Sequence, residues 1–396
     1  MQFTLFIISI SILIGFLLLP LAKRLGAPLL LVLLGLGMLL GEEGIGQIPF
    51  DNFHLAYDIG SVALAIILFA GGLETDRNVF KKAGSASISL ATLGVLVTAF
   101  VVGITAHFLI GLSLLMAFLF GAVIASTDAA ATFMMLQKSG LSLNERVKQT
   151  LLLESGLNDP AAIFLTIVLT SLIGGHSQLD INAAIQFLIL ITQQFGLGLI
   201  GGYLGGYSIV FLINKIELPA GTYPAVSMAG AIAIFSGIAT LGGSGFLAVY
   251  LVGIILRNKS KHPLDRIINF SEGLQWVSQI LLFVMLGLLV TPSDLGRDIW
   301  QAIIIACVLI FIARPLAVFL SLVFTKFSIK EKLFLSWVGL RGAVPILLAM
   351  YPVIAPGPVS TDFFNIVFVV VTTSLILQSW TIEPLGKILG LNKSNI

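Results

Sequence analysis

The sequence runs to 396 residues, 58% of them hydrophobic and only 10% charged, with 21 Lys and Arg against 19 Asp and Glu. Soluble domains carry about 25% charged residues, so this composition excludes a water-soluble fold and points to membrane-spanning helices. One cysteine, Cys307, and four scattered histidines leave no disulfide framework and no zinc spacing; without a Walker A loop or a basic domain, neither an ATP-driven pump nor nucleic-acid binding is supported, and no cofactor is expected.

The opening apolar run, Phe3 to Leu19, lacks a basic start and a small-residue cleavage site, and Pro20 leads to Lys23 and Arg24. It reads as a retained helix, not a secretory signal. Counting this one, about thirteen apolar spans lie between polar breaks, near 3–20, 28–41, 58–73, 85–110, 112–136, 148–173, 183–213, 221–240, 243–256, 268–290, 299–325, 333–352 and 362–386. The expected fold is therefore an all-α polytopic membrane protein, one domain over 1–396. The segment 183–213 is long for one span and predicts a steep tilt or an extra interfacial turn.

Basic residues gather at one set of span ends, among them Arg24, Lys81, Lys138, Arg146, Lys215, Arg257, Lys326 and Lys387. The opposite loops hold only Arg297, beside Glu42, Glu43, Asp51, Asp58, Asp180, Asp294, Asp298 and Asp362. The asymmetry places the N-terminus outside and the C-terminus in the cytoplasm of a cell inner (plasma) membrane. Thirteen spans divide as six, a linker and six, so equivalent halves are inverted, an architecture in which ions bind at broken helices near the midplane. The fifth span of each half is then the place to look. One carries Gly121 and then Ser126-Thr127-Asp128; the other carries Gly339-Leu340-Arg341-Gly342-Ala343-Val344-Pro345. Glycines, a proline and charges interrupt helices, and interrupted backbone survives at membrane depth only where it is buried or lines a cavity.

Five ionisable residues fall well inside spans: Asp128, Glu154, Asp159, Arg314 and Arg341. Each costs about 2.5–3.5 kcal/mol at the bilayer centre. Three acids and two bases pair to leave one negative charge, which a proton or a monovalent cation neutralises; that balance describes an exchange site. Glu154 with Arg341 reads as a structural pair, and Arg314 as a charge at the helix crossing that caps broken ends. Asp159 is left without a base. In Glu154-Ser155-Gly156-Leu157-Asn158-Asp159-Pro160, the i, i+4 spacing puts Glu154, Ser155, Asn158 and Asp159 on one side of a helix. A carboxylate, a hydroxyl and an amide oxygen suit an alkali ion, and unwound backbone at Thr127 offers a carbonyl. Burial raises a carboxylate's pKa and nearby positive charge lowers it, so a group between the two holds a proton at low pH and a cation at high pH.

Other features read as structural. Glu74 and Asp76 lie at the cytoplasmic end of the third span, solvated or in an ion vestibule; His107 is a satisfied helix histidine; Gly201, Gly202, Gly205 and Gly206 let helices approach. Gly242-Gly243-Ser244-Gly245 matches a short intramembrane serine-protease string, but no partnered histidine is evident. A cation channel is the main rival to an exchanger.

The strings Ser126-Thr127-Asp128-Ala129-Ala130, Glu154 to Pro160 and Gly339 to Pro345 resemble those of the monovalent cation/proton antiporters of the NhaP type, related to the animal sodium/proton exchangers. The resemblance covers essentially the whole chain, and Ser336-Trp337-Val338-Gly339-Leu340-Arg341 looks closest to the bacterial potassium/proton branch. Inverted repeats are known from such antiporters, so that feature is not independent of the resemblance. The resemblance implies Asp159 as the ion- and proton-binding carboxylate with Asn158 before it, Asp128 and the Thr127 backbone contributing from the first broken helix, Ser155 adding an oxygen, and Glu154 paired with Arg341. It also implies a homodimer in the lipid bilayer, with an interface bundle mainly of 1–75 and 215–290, a moving core mainly of 85–175 and 299–388, and a linker helix at 183–213. Asn before the essential aspartate resembles electroneutral members exchanging one proton for one K⁺ or Na⁺. Potassium/proton members often carry a cytoplasmic regulatory domain after the last span, which these 396 residues do not contain.

Overall fold

A computed structural model describes residues 2–25, 29–128, 132, 143–175, 181–217, 219, 221–261 and 264–391. Among them the regular structure is entirely helical. In chain order the helices are α1 (Gln2–Leu25), α2 (Leu29–Leu40), α3 (Phe53–Glu74), α4 (Arg77–Ser89), α5 (Val95–Ile110), α6 (Leu114–Ile124), α7 (Glu145–Gly175), α8 (Ile181–Lys215) and α9 (Tyr223–Thr240). They continue with α10 (Gly245–Lys259), α11 (Asp265–Leu288), α12 (Ile299–Val308), α13 (Arg314–Ser321), α14 (Ile329–Trp337), α15 (Ala343–Ile354), α16 (Thr361–Ser379) and α17 (Ile382–Ile388). Eight helical stretches among the described residues are long and apolar enough to cross a membrane; Leu114–Ile124 and Ala343–Ile354 are apolar but shorter. Helices answer the bilayer's demand that each backbone polar group be satisfied within its own segment.

The chain forms two compact units. The first comprises Met1–Tyr57, Ala83–Gly175 and Ile280–Ile396, and the second Asp58–Lys82 and His176–Gln279. In the second, α8 is one helix of 35 residues, about 52 Å long at 1.5 Å per residue. It covers the segment read from sequence as an overlong span. A Cβ added at Gly202 would stand 2.8 Å from the Ala248 Cα, so α8 and α10 meet backbone to backbone. Glycine serves close packing there, as in other membrane helix pairs.

In the first unit, α5 and α6 approach as closely: a Cβ at Gly103 would lie 2.8 Å from the Ala117 carbonyl oxygen, and one at Gly121 would overlap the Ala99 carbonyl. This contact fixes α6, the first half of the fifth predicted span. α6 ends at Ile124, and 126–128 are non-helical. Ala129, Ala130 and Lys138 lie outside the described residues. The twelfth span is broken as well: Ser328 and Glu331 start α14 with a reciprocal capping box, the helix stops at Trp337, 338–342 are non-helical, and α15 resumes at Ala343. Two π-helical turns, Leu90–Gly94 and Leu309–Ala313, interrupt the fourth and eleventh spans. The second ends immediately before Arg314. Wider i→i+5 turns of this kind concentrate at functional sites.

Candidate ion site

The two interruptions cross. The Asp128 amide donates to the Leu340 carbonyl at 2.9 Å. In return, Arg341 Nη1 donates to the carbonyls of Ala125 and Ser126 at 3.0 and 2.8 Å. These are orphan acceptors at the end of α6, which a buried helix terminus cannot leave bare. Gly342 makes room at the crossing, because a Cβ there would overlap the Asp128 side chain and displace it.

The middle of α7 faces this crossing with the side predicted from its spacing. The Thr127 amide donates to Asn158 Oδ1 at 3.3 Å, Asn158 Nδ2 donates to Thr127 Oγ1 at 2.6 Å, and Thr127 Oγ1 lies 3.0 Å from Ser155 Oγ. Asn158 thus spends its amide on Thr127 and pins the unwound strand to α7. One residue on, Asp159 is 5% exposed, and its Oδ1 has no hydrogen-bond partner among the described residues. It feels the charges of Asp128 and Arg341 yet forms no salt bridge with any described residue. Pro160 cannot donate an amide to the Gly156 carbonyl, which loosens the turn that carries Asp159. Ser126 Oγ and the Nε and Nη2 atoms of Arg341 are also buried without a hydrogen bond among the described residues.

The structure corrects the expected ion pair. Glu154 pairs with Arg314 through Oε1 and Nη1 at 2.5 Å, both side chains buried, and not with Arg341. Arg314 Nη2 also reaches the Leu335 carbonyl at 3.4 Å in the last turn of α14. The two arginines divide the work differently from the sequence reading: Arg341 caps the carbonyls freed by the first interruption, and Arg314 neutralises the acid. The physical reason is position. Arg341 sits inside the second interruption, within reach of the carbonyls freed by the first, whereas Arg314 emerges from a π turn and opens α13. Arg341 still lies in the electrostatic field of Glu154.

Three bystanders keep structural roles. His107 Nδ1 is bonded to the Leu112 carbonyl at 2.6 Å beyond the end of α5. Ser244 caps α10, accepting from the Leu247 amide at 3.2 Å, which accounts for the protease-like string. Glu74 ends α3 and is exposed.

A model of the sodium/hydrogen exchanger transmembrane family matches residues 9–388. The chain belongs to that family. It is 45% identical over 388 residues to the K(+)/H(+) antiporter NhaP of Alkalimonas amylolytica, spanning 98% of this chain and 67% of that one. It is 44% identical to the K(+)/H(+) antiporter NhaP2 of Shewanella sp. (strain MR-4), over 95% of this chain and 65% of the relative. The exchanger-family chain thus spans about two thirds of the length of these relatives. Its fold is similar to the sodium proton antiporter MjNhaP1 from Methanocaldococcus jannaschii at pH 8, with a TM-score of 0.84, 25% identity, and 98% and 99% of the two chains covered.

Within this family member the structure adds residues that the sequence reading passed over. Thr132 Oγ1 donates to the Val338 carbonyl at 3.3 Å, tying the first interrupted span to the second. Gln378 Nε2 donates to the Trp337 carbonyl at 2.7 Å, and Ser374 is bonded to Gln378 Oε1. The signal was present as neutral polar groups in apolar spans: Ser374 and Gln378 are four apart in the last predicted span and share a helix face. Attention to formal charge alone hides such residues.

Proposed function

We propose that this chain is a secondary antiporter that exchanges H⁺ for a monovalent cation, one for one, at Asp159. The observation that carries this reading is a carboxylate 5% exposed, beside interrupted backbone, with no salt bridge among the described residues. A buried charge is tolerated only when paired or coordinated. Arg314 is paired with Glu154, and Arg341 spends Nη1 on the Ala125 and Ser126 carbonyls without a salt bridge to Asp159; a proton or a cation completes Asp159, and the two compete. Asp128, the Thr127 carbonyl and Ser155 supply further oxygens, and Asn158 holds Thr127 in place. The names of the relatives 44–45% identical to this chain favour K⁺ over Na⁺. The chain is a transporter and not an enzyme, and it works in the inner membrane as a homodimer with its C-terminus in the cytoplasm. The division of labour is the one the resemblance implies: an interface bundle of 1–75 and 215–290, and a transport core of 85–175 and 299–388 that moves to alternate access.

Proteoliposomes loaded with a pH dye test the proposal. Adding K⁺ or Na⁺ outside moves protons without a membrane potential, Asp159→Asn abolishes the signal, and competition between the ions at several pH values ranks them. Proton-independent K⁺ current through the purified protein would overturn exchange in favour of a channel.

A further inference from the structure

The second interruption leaves several carbonyls at membrane depth, where each needs a donor. Leu335 receives Arg314 Nη2, Val338 receives the Leu340 amide at 2.7 Å and Thr132 Oγ1, and Leu340 receives the Asp128 amide. All these donors belong to the two interrupted spans or the buried ion pair. The Trp337 carbonyl differs: its donor is Gln378, on α16, which contributes none of the residues assigned to the ion.

Gln378 is 1% exposed and Ser374 is fully buried. A carbonyl can only accept, so Nε2 must face Trp337; Oε1 is then left to accept from the Ser374 hydroxyl. One turn further, Trp337 Nε1 donates to Thr381 Oγ1 at 2.8 Å, and that hydroxyl donates to the Leu377 carbonyl at 2.7 Å. The tryptophan is therefore held at its backbone from the last turn of α16 and at its ring from Thr381, in the turn that follows. Its ring also meets Phe311 edge-on, centroids 5.6 Å apart, within the π turn that precedes Arg314.

We propose that Gln378 is a positioning residue for the exchange: by seating the Trp337 carbonyl it fixes where α14 ends, and so where Arg341 and Gly342 meet the first interruption beside Asp159. This rests on the antiport reading above. Gln378 touches neither ion nor proton; it acts through the broken helix.

The test compares Gln378→Leu and Gln378→Glu in full-length protein, reading the cation KM and kcat of proton exchange in liposomes and, separately, the K⁺ or Na⁺ concentration that half-stabilises the protein against melting. Losing the donor leaves a buried carbonyl unsatisfied, so each variant raises KM and the half-stabilising concentration about tenfold with kcat within about twofold. Thr381→Val, at the half-exposed end of the clamp, gives the same pattern at about threefold and serves should the buried substitutions fold poorly. Val367→Ala, in the same helix and fully buried, lowers the melting temperature without moving KM. The proposal is overturned if cation affinity in the Gln378 variants stays within twofold of wild type, or if KM in Val367→Ala rises as much as theirs. Wild-type protein that is stabilised by cation but moves no protons defeats the antiport reading, while the melting shifts still decide the role of Gln378.

Discussion

The Asp128 amide donates to the Leu340 carbonyl at 2.9 Å, so each interrupted helix ties off the other. The two halves of the site are therefore not independent, and a change at one interruption is felt at the second.

Glu154 and Arg314 should behave as one energetic unit. Removing either leaves a buried charge alone, at a cost of about 3–5 kcal/mol by analogy with soluble proteins. A double-mutant cycle with Glu154→Gln and Arg314→Ala is expected to show coupling of about 1–3 kcal/mol in thermal or denaturant unfolding. The same cycle with Arg341→Ala should show less. Equal coupling to both arginines would refute the assignment of the pair.

Gly342→Ala forces a methyl group into the Asp128 carboxylate. Overpacking of this kind costs about 1–3 kcal/mol, and Asp128 has to move. Exchange activity is expected to fall more than stability. Gly35→Ala is the control, since its Cβ meets nothing within 4 Å and alanine favours a helix by about 0.5–1 kcal/mol.

Thr127→Val removes the hydroxyl that receives Asn158 Nδ2 and faces Ser155. The stranded amide costs about 1–3 kcal/mol, expected to appear as a cation KM raised about tenfold, because the unwound segment loses its anchor on α7. Thr127→Ser should restore most of the affinity. Initial rates of cation-driven alkalinisation in liposomes, measured across cation concentrations, check both.

Ser244→Ala removes an N-cap worth about 1 kcal/mol. Stability should drop by that amount while exchange and its cation KM remain those of wild type. Loss of an activity other than exchange would revive the protease reading.

Much of this was legible in the sequence because a bilayer penalises irregularity so heavily. Ser126-Thr127-Asp128 and Gly339 to Pro345 stand out from apolar runs, and the structure interrupts the helices at those places. The shared face of Ser155, Asn158 and Asp159 follows from helical period alone. The partner of Glu154 was hidden. Two buried arginines were available, and choosing between them requires the rotation of α13, which the π turn at 309–313 alters by widening the turn. Gln378 was hidden for another reason. Its bond runs to a backbone carbonyl, and which carbonyls lack a helical donor is known only once the exact end of α14 at Trp337 is known.

The 35 residues of α8 reach about 52 Å against a hydrocarbon slab of about 30 Å. Its leading turns have to lie among the headgroups, or the helix must lean to fit, and either arrangement ties its pose to the chain length of the surrounding phospholipids. Reconstitution in short-acyl and long-acyl bilayers should therefore change the rate of turnover even with every residue at the crossing intact. Bilayer thickness is in this sense a physical input to the protein.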